Sequence, residues 1–141
     1  MTKKTPDPRS GPEDRWASPT EGARFNAGKP RWDLLPAGAL SELVNVFSFG
    51  AYKYDDDNWR KGLKYRDCLR AILSHTFKWV AGERCDPESG CHHLAHAAWN
   101  CLVLVEFDLI GRTDLDNRPQ GTAPLSPVSN IKEPPQKLKK S

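Results

Sequence analysis

Apolar side chains recur at intervals of three and four residues in three segments of the chain, which is the spacing of an amphipathic α-helix. The first segment follows Pro36 and ends at the polar run 55–58, the second covers about 66–82, and the third covers about 90–110. Proline suits the first turn of a helix, and a glycine stands at the end of the second segment and just after the third. No segment alternates apolar and polar residues for long enough to indicate a strand. We therefore predict an all-α fold, a small helical bundle.

Each predicted helix has a set of apolar residues that we expect to face the core. These are Leu40, Leu43, Val44, Phe47 and Ala51 in the first helix, Leu69, Ile72, Leu73, Thr76, Trp79 and Val80 in the second, and Leu94, Ala98, Cys101, Leu102, Val105 and Leu109 in the third. Cys68 and Cys101 lie within the helical patterns and are expected to be small core residues. Three such helices leave apolar surface, so we expect a second copy of the chain to cover it.

Charge and proline divide the 141 residues into a centre and two tails. The net charge is +3, but residues 117–141 alone carry five basic and one acidic side chain, and residues 23–116 have a net charge of −1. Nine of the twelve prolines lie in 1–22 and 117–141. We therefore predict one folded domain over 23–116 and disordered tails over 1–22 and 117–141. The lysines of the second tail are interpreted as solubilising, and nucleic acid is not an expected partner.

The sequence has neither the roughly 18 consecutive apolar residues of a membrane span nor the apolar stretch of a signal peptide near Met1. We therefore expect a cytoplasmic protein with no membrane partner. In a reducing compartment the four cysteines, Cys68, Cys85, Cys91 and Cys101, are expected to be free thiols or metal ligands rather than disulfides.

All four histidines of the chain lie between residues 75 and 96. His75 and Lys78 share one face of the second predicted helix, and His93, His96 and Asn100 share one face of the third.

Three carboxylates, Glu83, Asp86 and Glu88, lie in the turn between these two helices. If the helices are antiparallel, carboxylates and imidazoles meet at one end of the bundle. Such a set can bind a divalent metal, because carboxylates favour Mg²⁺ or Mn²⁺ and imidazoles admit Mn²⁺, Fe²⁺ or Zn²⁺.

A structural zinc site is the alternative interpretation of the same region. Cys85 and Cys91 could bind zinc together with His92 or His96, since thiolate and imidazole are the preferred zinc ligands. Five residues separate the two cysteines, whereas zinc knuckles usually have two to four, and no second pair lies nearby. The spacing therefore argues against zinc.

Two further segments have the residue types that bind a nucleoside triphosphate. The loop 24–30 places Arg24 and Lys29 beside Gly28, whose backbone can approach an anion. The segment 50–62 interleaves aromatic rings, an amide and cations, including Asn58 and Trp59. Rings stack on purines, amides bind base edges and cations bind phosphate, although Trp59 is also consistent with a core residue.

An ordered set of motifs resembles a known family over about residues 24–107. The motifs are Arg24-x-Asn26-x-Gly28-Lys29-Pro30, Gly50-Ala51-x-Lys53-Tyr54, Asn58-Trp59, His75, Gly82-Glu83-x-x-Asp86-x-Glu88-Ser89-Gly90, His93-Leu94-x-His96-Ala97 and Asn100. Together they resemble the phage dATP/dGTP diphosphohydrolases, also called the MazZ family. The resemblance implies an all-α, MazG-like nucleotide pyrophosphohydrolase that converts a purine deoxynucleoside triphosphate to the monophosphate and pyrophosphate with a divalent metal.

The same resemblance implies a homodimer or homotetramer, because MazG-like bundles usually share sites between chains. For a phage protein it implies the host cytoplasm, and in some phages a supply of dGMP from dGTP for 2-aminoadenine DNA. The chain departs from the better-known MazG enzymes in lacking their Glu-Glu-x-x-Glu helix. The first predicted helix offers only Glu42 in that role, and the nearest local match is Glu83-x-x-Asp86.

These considerations assign expected roles. The expected ligands of Mg²⁺ or Mn²⁺ are Glu83, Asp86, His93 and His96. The expected catalytic groups are Glu83, Glu88, His75 and Lys78, with Glu88 as the base for water and His75 and Lys78 binding phosphate or the leaving pyrophosphate. The expected substrate-binding residues are Arg24, Lys29 and Lys53 for the phosphates, Asn26, Asn58 and Trp59 for the purine and sugar, and Asn100.

Two alternative functions remain open at this point. A non-catalytic protein that binds a nucleotide or nucleic acid through Trp59 and the lysine tail would bind without turnover. A metal phosphohydrolase would also use histidine and aspartate ligands, but it would release phosphate or triphosphate rather than pyrophosphate.

Overall fold

The computed structural model describes residue 24 and residues 26–125 of the chain. It contains three α-helices, α1 (Ala37–Tyr54), α2 (Tyr65–Val80) and α3 (His93–Leu109), with short 3-10 helices at Trp32–Leu34, Asn58–Lys61 and Thr113–Leu115. The described residues form no strand, and Cys85 and His92 make an isolated antiparallel bridge. The prediction of an all-α fold is confirmed, and each helix lies within a few residues of its predicted bounds.

The chain divides into two units, Met1–Ala37 and Gly38–Ser141. In the described part of the first unit, Arg31 forms a two-bonded ion pair with Asp33, and Nε lies 2.7 Å from Oδ1. The second unit contains α2, α3 and nearly all of α1. The predicted tail 1–22 and residues 126–141 of the other predicted tail lie outside the described residues.

Contacts with α2 continue beyond residue 116, the predicted end of the domain. The side-chain oxygen of Asn117 accepts a 2.9 Å hydrogen bond from the backbone N–H of Arg66. The guanidinium of Arg118 lies 5.7 Å from the centre of the Tyr65 ring. The chain after α3 therefore packs against the start of α2.

Helices α2 and α3 pack against each other in antiparallel orientation. Near one end, the rings of Tyr65 and Phe107 are parallel, with centroids 6.5 Å apart, and near the other His75 meets His93. The Tyr65 end holds the main core cluster, in which Tyr65 and Phe107 are joined by Val103 and Leu115. Burial of a large apolar side chain contributes about 1.5–3 kcal/mol, so this cluster anchors the pair.

Helix α1 contacts the first half of α3 through a second, smaller cluster. Val46 is buried together with Cys91 and Ala95, and the Phe47 ring meets the Trp99 ring edge-on at 5.8 Å. Trp99 packs against both clusters and thereby connects them.

The predicted core faces are wrong in part. The predicted core residues that are half-buried are Leu43, Phe47, Ala51, Leu69, Ile72, Thr76 and Leu94, and the others are exposed. On α3 the residues Cys101, Leu102, Val105 and Leu109 are exposed, whereas the buried residues are His93, Ala95, Ala97, Asn100, Val103 and Phe107. On α1 Leu40 and Val44 are exposed and Val46 is buried, and on α2 Leu73, Trp79 and Val80 are exposed while Tyr65 and Cys68 are buried. Because α3 is apolar on several faces, helical spacing alone does not identify the buried one. Cys68 is a small core residue as predicted, and Cys101 is not.

Among the described residues, no helix is both long enough and apolar enough to cross a membrane.

Candidate functional site

The connection 81–92 brings the carboxylates of the turn back toward the histidines. The backbone N–H of Glu83 bonds to the carbonyl of Lys78 at the end of α2, and that of His93 bonds to the carbonyl of Arg84. Between these points, Asp86 and Cys91 close a tight turn through a 2.8 Å backbone hydrogen bond. Gly90 has φ +71° in this turn, a conformation that glycine adopts without strain.

Three imidazoles meet where this turn joins α2 and α3. The Nδ1 atoms of His75 and His93 lie 2.8 Å apart. The rings of His75 and His96 are stacked, with centroids 4.5 Å apart and an interplanar angle of 7°. Burial, together with the neighbouring histidines, lowers the pKa of His75, and burial also lowers the pKa of His96. Both effects favour neutral imidazoles, the form that binds metal.

Glu83 determines which nitrogen of His93 faces His75. Its Oε1 lies 2.9 Å from His93 Nε2, and His93 itself is fully buried. We assign the proton of His93 to Nε2, where it is donated to the carboxylate. With this assignment, the lone pair of Nδ1 points toward His75.

Asp86 is held in place by Ser89. Its Oδ2 accepts hydrogen bonds from the backbone N–H of Ser89 at 3.0 Å and from the hydroxyl at 3.1 Å. Partial burial of Asp86 opposes ionisation, but the bonds from Ser89 outweigh it and the pKa of Asp86 is lowered. The same hydroxyl lies 2.7 Å from Nε2 of His96, so Ser89 links the carboxylate to a third histidine.

His75, Asp86 and His93 form a group that could hold one metal ion. One ligand atom from each lies within 4.8 Å of the others. Two imidazole nitrogens and one carboxylate oxygen are a suitable donor set for a divalent ion. This group, called the His75 cluster below, is the candidate metal centre in the part of the chain that the structure describes.

The His75 cluster shares Asp86 and His93 with the ligand set expected from the sequence. His75 is a member that the sequence placed among the catalytic groups. The two other expected ligands lie outside the group: Glu83 bonds to Nε2 of His93, and the ring of His96 stacks on that of His75. The spacing of residues along one helix does not show which side chains a second helix places beside them. The ligand set expected from the sequence and the His75 cluster therefore differ.

The cysteines do not take part in the His75 cluster. All four are free, as expected. Cys91 is buried, and its thiol faces the carbonyl of Ser89 at 3.8 Å. Neither Cys85 nor Cys91 joins the ligand group. A structural zinc site at the cysteines therefore has no support in the described residues.

A cleft of about 770 Å³ lies beside the cluster, between the second half of α1, the turn after it, and α3. Its lining includes five residues with expected roles, namely Lys53, Asn58, Trp59, His96 and Asn100. Asn100 donates to the backbone carbonyl of His96 at 2.9 Å. The ring of Trp59 packs against Phe47 and Phe107, with centroids 6.3 and 6.0 Å away, so it serves the core as well as the cleft wall.

Lys53 and Glu88 form an ion pair between α1 and the turn after α2. The hydrogen bond to Glu88 raises the pKa of Lys53. Glu88 is exposed and faces α1 in this pair. Lys78 is exposed on α2.

The remaining expected phosphate and base contacts lie in the first unit. Arg24, Asn26 and Lys29 are all exposed there, and the backbone N–H of Lys29 bonds to the carbonyl of Asn26 at 3.2 Å. Their loop turns at Gly28, which has φ +76°.

Two features of the site were not anticipated from residue type. Ser89 bridges Asp86 and His96, although serine in a turn is usually interpreted as a capping residue. Asp55 and Asp57 line the cleft with φ of 120° and 59°. Aspartate is among the residues that tolerate positive φ. The aspartates of the polar run 55–58 could therefore have indicated a tight turn.

Comparisons with known proteins concern the family of the chain. A protein of Salmonella phage PMBT28 named dATP/dGTP diphosphohydrolase is 33% identical to the chain over 97 residues. The match covers 69% of this chain and 33% of that protein, so the chain spans about a third of its relative's length. No solved structure matches the chain. The family model described as dATP/dGTP diphosphohydrolase, N-terminal, matches residues 19–118. Since that match covers most of the chain, the protein belongs to the family of the dATP/dGTP diphosphohydrolase N-terminal domain.

Proposed function

We propose that the chain hydrolyses a purine deoxynucleoside triphosphate, dGTP or dATP, to the monophosphate and pyrophosphate with a divalent metal, Mg²⁺ or Mn²⁺. The family and the name of the phage relative support this class of substrate. If the substrate is dGTP, the product dGMP could feed the synthesis of 2-aminoadenine DNA in a phage.

The observation that carries the proposal is the position of His96. Its ring stacks on His75 and bonds to Ser89, and it also lines the cleft. A cleft of about 770 Å³ is within the usual range of about 300–1,000 Å³ for small-molecule sites. A triphosphate whose base occupies the cleft would therefore extend its phosphates toward the His75 cluster.

The reaction requires water to attack the α-phosphorus while the bond to the bridging oxygen breaks and pyrophosphate leaves. A metal ion held by His75, Asp86 and His93 would neutralise phosphate oxygens and lower the pKa of the attacking water. Glu88 is the proposed acceptor of the water's proton. Lys78 is proposed to bind the leaving pyrophosphate, on the same face of α2 as His75.

The polar residues of the cleft are proposed to bind the substrate. Lys53 is proposed to supply positive charge for the phosphates. Asn58 and Asn100 are proposed to bind the base edge, where a hydrogen-bonding site discriminates more strongly than an apolar one. Trp59 completes the proposed contacts with the purine and sugar.

A second copy of the chain is the proposed protein partner, in a homodimer or homotetramer. Exposed apolar side chains on α2 and α3 support it: Leu73, Phe77, Val80, Leu102, Val105 and Leu109. Monomers rarely leave large contiguous apolar patches in water.

The test is incubation of the purified chain with each of the four dNTPs and Mg²⁺ or Mn²⁺, followed by chromatography of the products. We expect dGTP or dATP to give the monophosphate and pyrophosphate. Release of phosphate or triphosphate would replace the proposal by the phosphohydrolase alternative. Tight binding of the nucleotide without turnover by any metal would indicate a sensor.

A pair of histidine variants connects turnover to the site. His96→Ala should lower kcat/KM by at least about tenfold, because it removes the imidazole that lines the cleft and stacks on His75 of the cluster. His92→Asn is the matched control, since His92 caps α3 through Nδ1 and asparagine is also a good cap. Equal activity of the two variants would mean that the site is elsewhere.

A further inference from the structure

We infer that the His75 cluster selects a transition-metal ion of the imidazole-binding class, such as Mn²⁺, Fe²⁺, Co²⁺ or Zn²⁺, over Mg²⁺, and that Glu83 is a positioning residue that acts through His93. The inference rests on the proposed function, because the ion in question is the one that hydrolysis would use. It narrows that proposal in the choice of metal, and it gives Glu83, which the sequence analysis expected to be a metal ligand and catalytic group, a positioning role instead.

The types of donor atom in the His75 cluster determine which metal ion it prefers. Two of the three candidate ligand atoms are imidazole nitrogens, and the third is a carboxylate oxygen. Mg²⁺ requires near-octahedral oxygen coordination and gives up its waters reluctantly. Imidazole instead suits the later first-row metals, whose affinity for such a site rises from Mn²⁺ toward Cu²⁺.

Burial strengthens this preference. His93 has no exposed surface, while Asp86 and His75 are partly buried. An ion that bound there would exchange waters for Nδ1 of His93 and its neighbours. This exchange is favourable for an ion with affinity for nitrogen and unfavourable for Mg²⁺, whose hydration is strong.

The position of Glu83 assigns its role. Its Oε1 lies 2.9 Å from Nε2 of His93, whereas Nδ1 of His93 faces His75 and is therefore the candidate ligand atom. A carboxylate that accepts the second N–H of a metal-binding histidine sets its tautomer and orientation. Glu83 is itself well exposed, with 44% of its side chain accessible, so its replacement should not disrupt the core.

The experiment measures metal binding by the full chain without nucleotide. The protein is stripped with a chelator and titrated with Co²⁺, Mn²⁺ or Mg²⁺ by calorimetry, and bound Co²⁺ is also followed by its visible absorption. We expect one Co²⁺ or Mn²⁺ per chain and Mg²⁺ affinity at least about tenfold weaker. Excess Mg²⁺ should leave the cobalt spectrum unchanged.

Variants identify the residues. His75→Ala should abolish the cobalt spectrum, and Glu83→Ala should weaken Co²⁺ binding by about 10- to 100-fold. Glu83→Gln should recover part of the loss, because its side-chain oxygen can still accept from Nε2 of His93. His92→Asn removes a neighbouring imidazole outside the cluster and should bind Co²⁺ like wild type. Circular dichroism should show the same helical content in all four variants.

Three results would overturn the inference: equal affinity for Mg²⁺ and Mn²⁺, an unchanged cobalt spectrum in His75→Ala, or an equal loss in His92→Asn. They are distinguishable from failure of the proposed function. Metal binding as expected without turnover of any dNTP would overturn the function alone. Turnover supported by Mg²⁺ that does not require His75 would overturn the inference alone.

Discussion

His93 is the residue at which the core and the candidate site meet. It is fully buried on α3, and both ring nitrogens have partners, Nδ1 with His75 and Nε2 with Glu83. A buried polar ring without partners would cost folding free energy, whereas a fully bonded one is tolerated. The same bonds fix the orientation of the ring, which the proposed metal site also requires.

At the residue scale, Asn58→Ala tests the cleft as the base site. Asn58 lines the cleft, and its side-chain Oδ1 accepts a hydrogen bond from Nζ of Lys61 at 3.3 Å. A neutral hydrogen bond contributes about 0.5–1.5 kcal/mol. We therefore expect KM for the preferred dNTP to rise about threefold to tenfold with little change in kcat, because contacts with the base are equal in the ground and transition states.

The control for Asn58 is Asn45→Ala, which removes an exposed amide from α1 away from the cleft lining. Steady-state kinetics with dGTP, dATP and the two pyrimidine dNTPs should show no change in this variant. An unchanged KM in Asn58→Ala would place base recognition elsewhere.

At the element scale, the turn between α1 and α2 is tied to the chain that follows α3. Gly62 has φ +118°, and a Cβ there would lie 2.8 Å from Nη2 of Arg112 and 2.9 Å from Cδ2 of Leu115. Arg112 also lies over the ring of Phe107 in the main core cluster. Glycine at this position therefore allows the turn that forms part of the cleft to pack against the core.

Gly62→Ala should destabilise the fold by about 1–3 kcal/mol, from backbone strain and from displacement of Leu115. Denaturant unfolding followed by circular dichroism measures the change. Gly50→Ala is the matched control, because Gly50 lies within α1 with open space around the added Cβ. Alanine there should leave stability unchanged or raise it by up to about 1 kcal/mol. A loss in the control as large as that in Gly62→Ala would contradict this account.

At the scale of the whole molecule, the apolar surface of α2 and α3 is the main feature that one chain leaves unexplained. Val105 is 54% exposed and Phe77 is 68% exposed, although both are large apolar residues. The buried face of α3 carries two polar residues of the candidate site, His93 and Asn100, and His75 on α2 is half-buried. The site thus occupies interior positions that apolar residues would otherwise take.

Val105→Glu should shift the proposed homodimer or homotetramer toward monomer, because a charge buried in an apolar interface is costly. Sedimentation velocity over a range of protein concentrations measures the shift. Thr113→Glu adds the same charge at an exposed polar position after α3 and should sediment like wild type. A wild-type chain that sediments as a monomer at every concentration would contradict the proposal.

The sequence by itself determined the number, limits and order of the helices, because helical spacing and the signals of Pro36 and Gly111 are local. It also indicated the segment that contains the candidate metal ligands, since the four histidines and the acidic turn lie within one short stretch. Only the tertiary structure decided which face of α3 is buried and that His75 joins Asp86 and His93. The physical reason is that a helix with several apolar faces has no preferred side until a second helix packs against it, and ligand groups meet only through that packing.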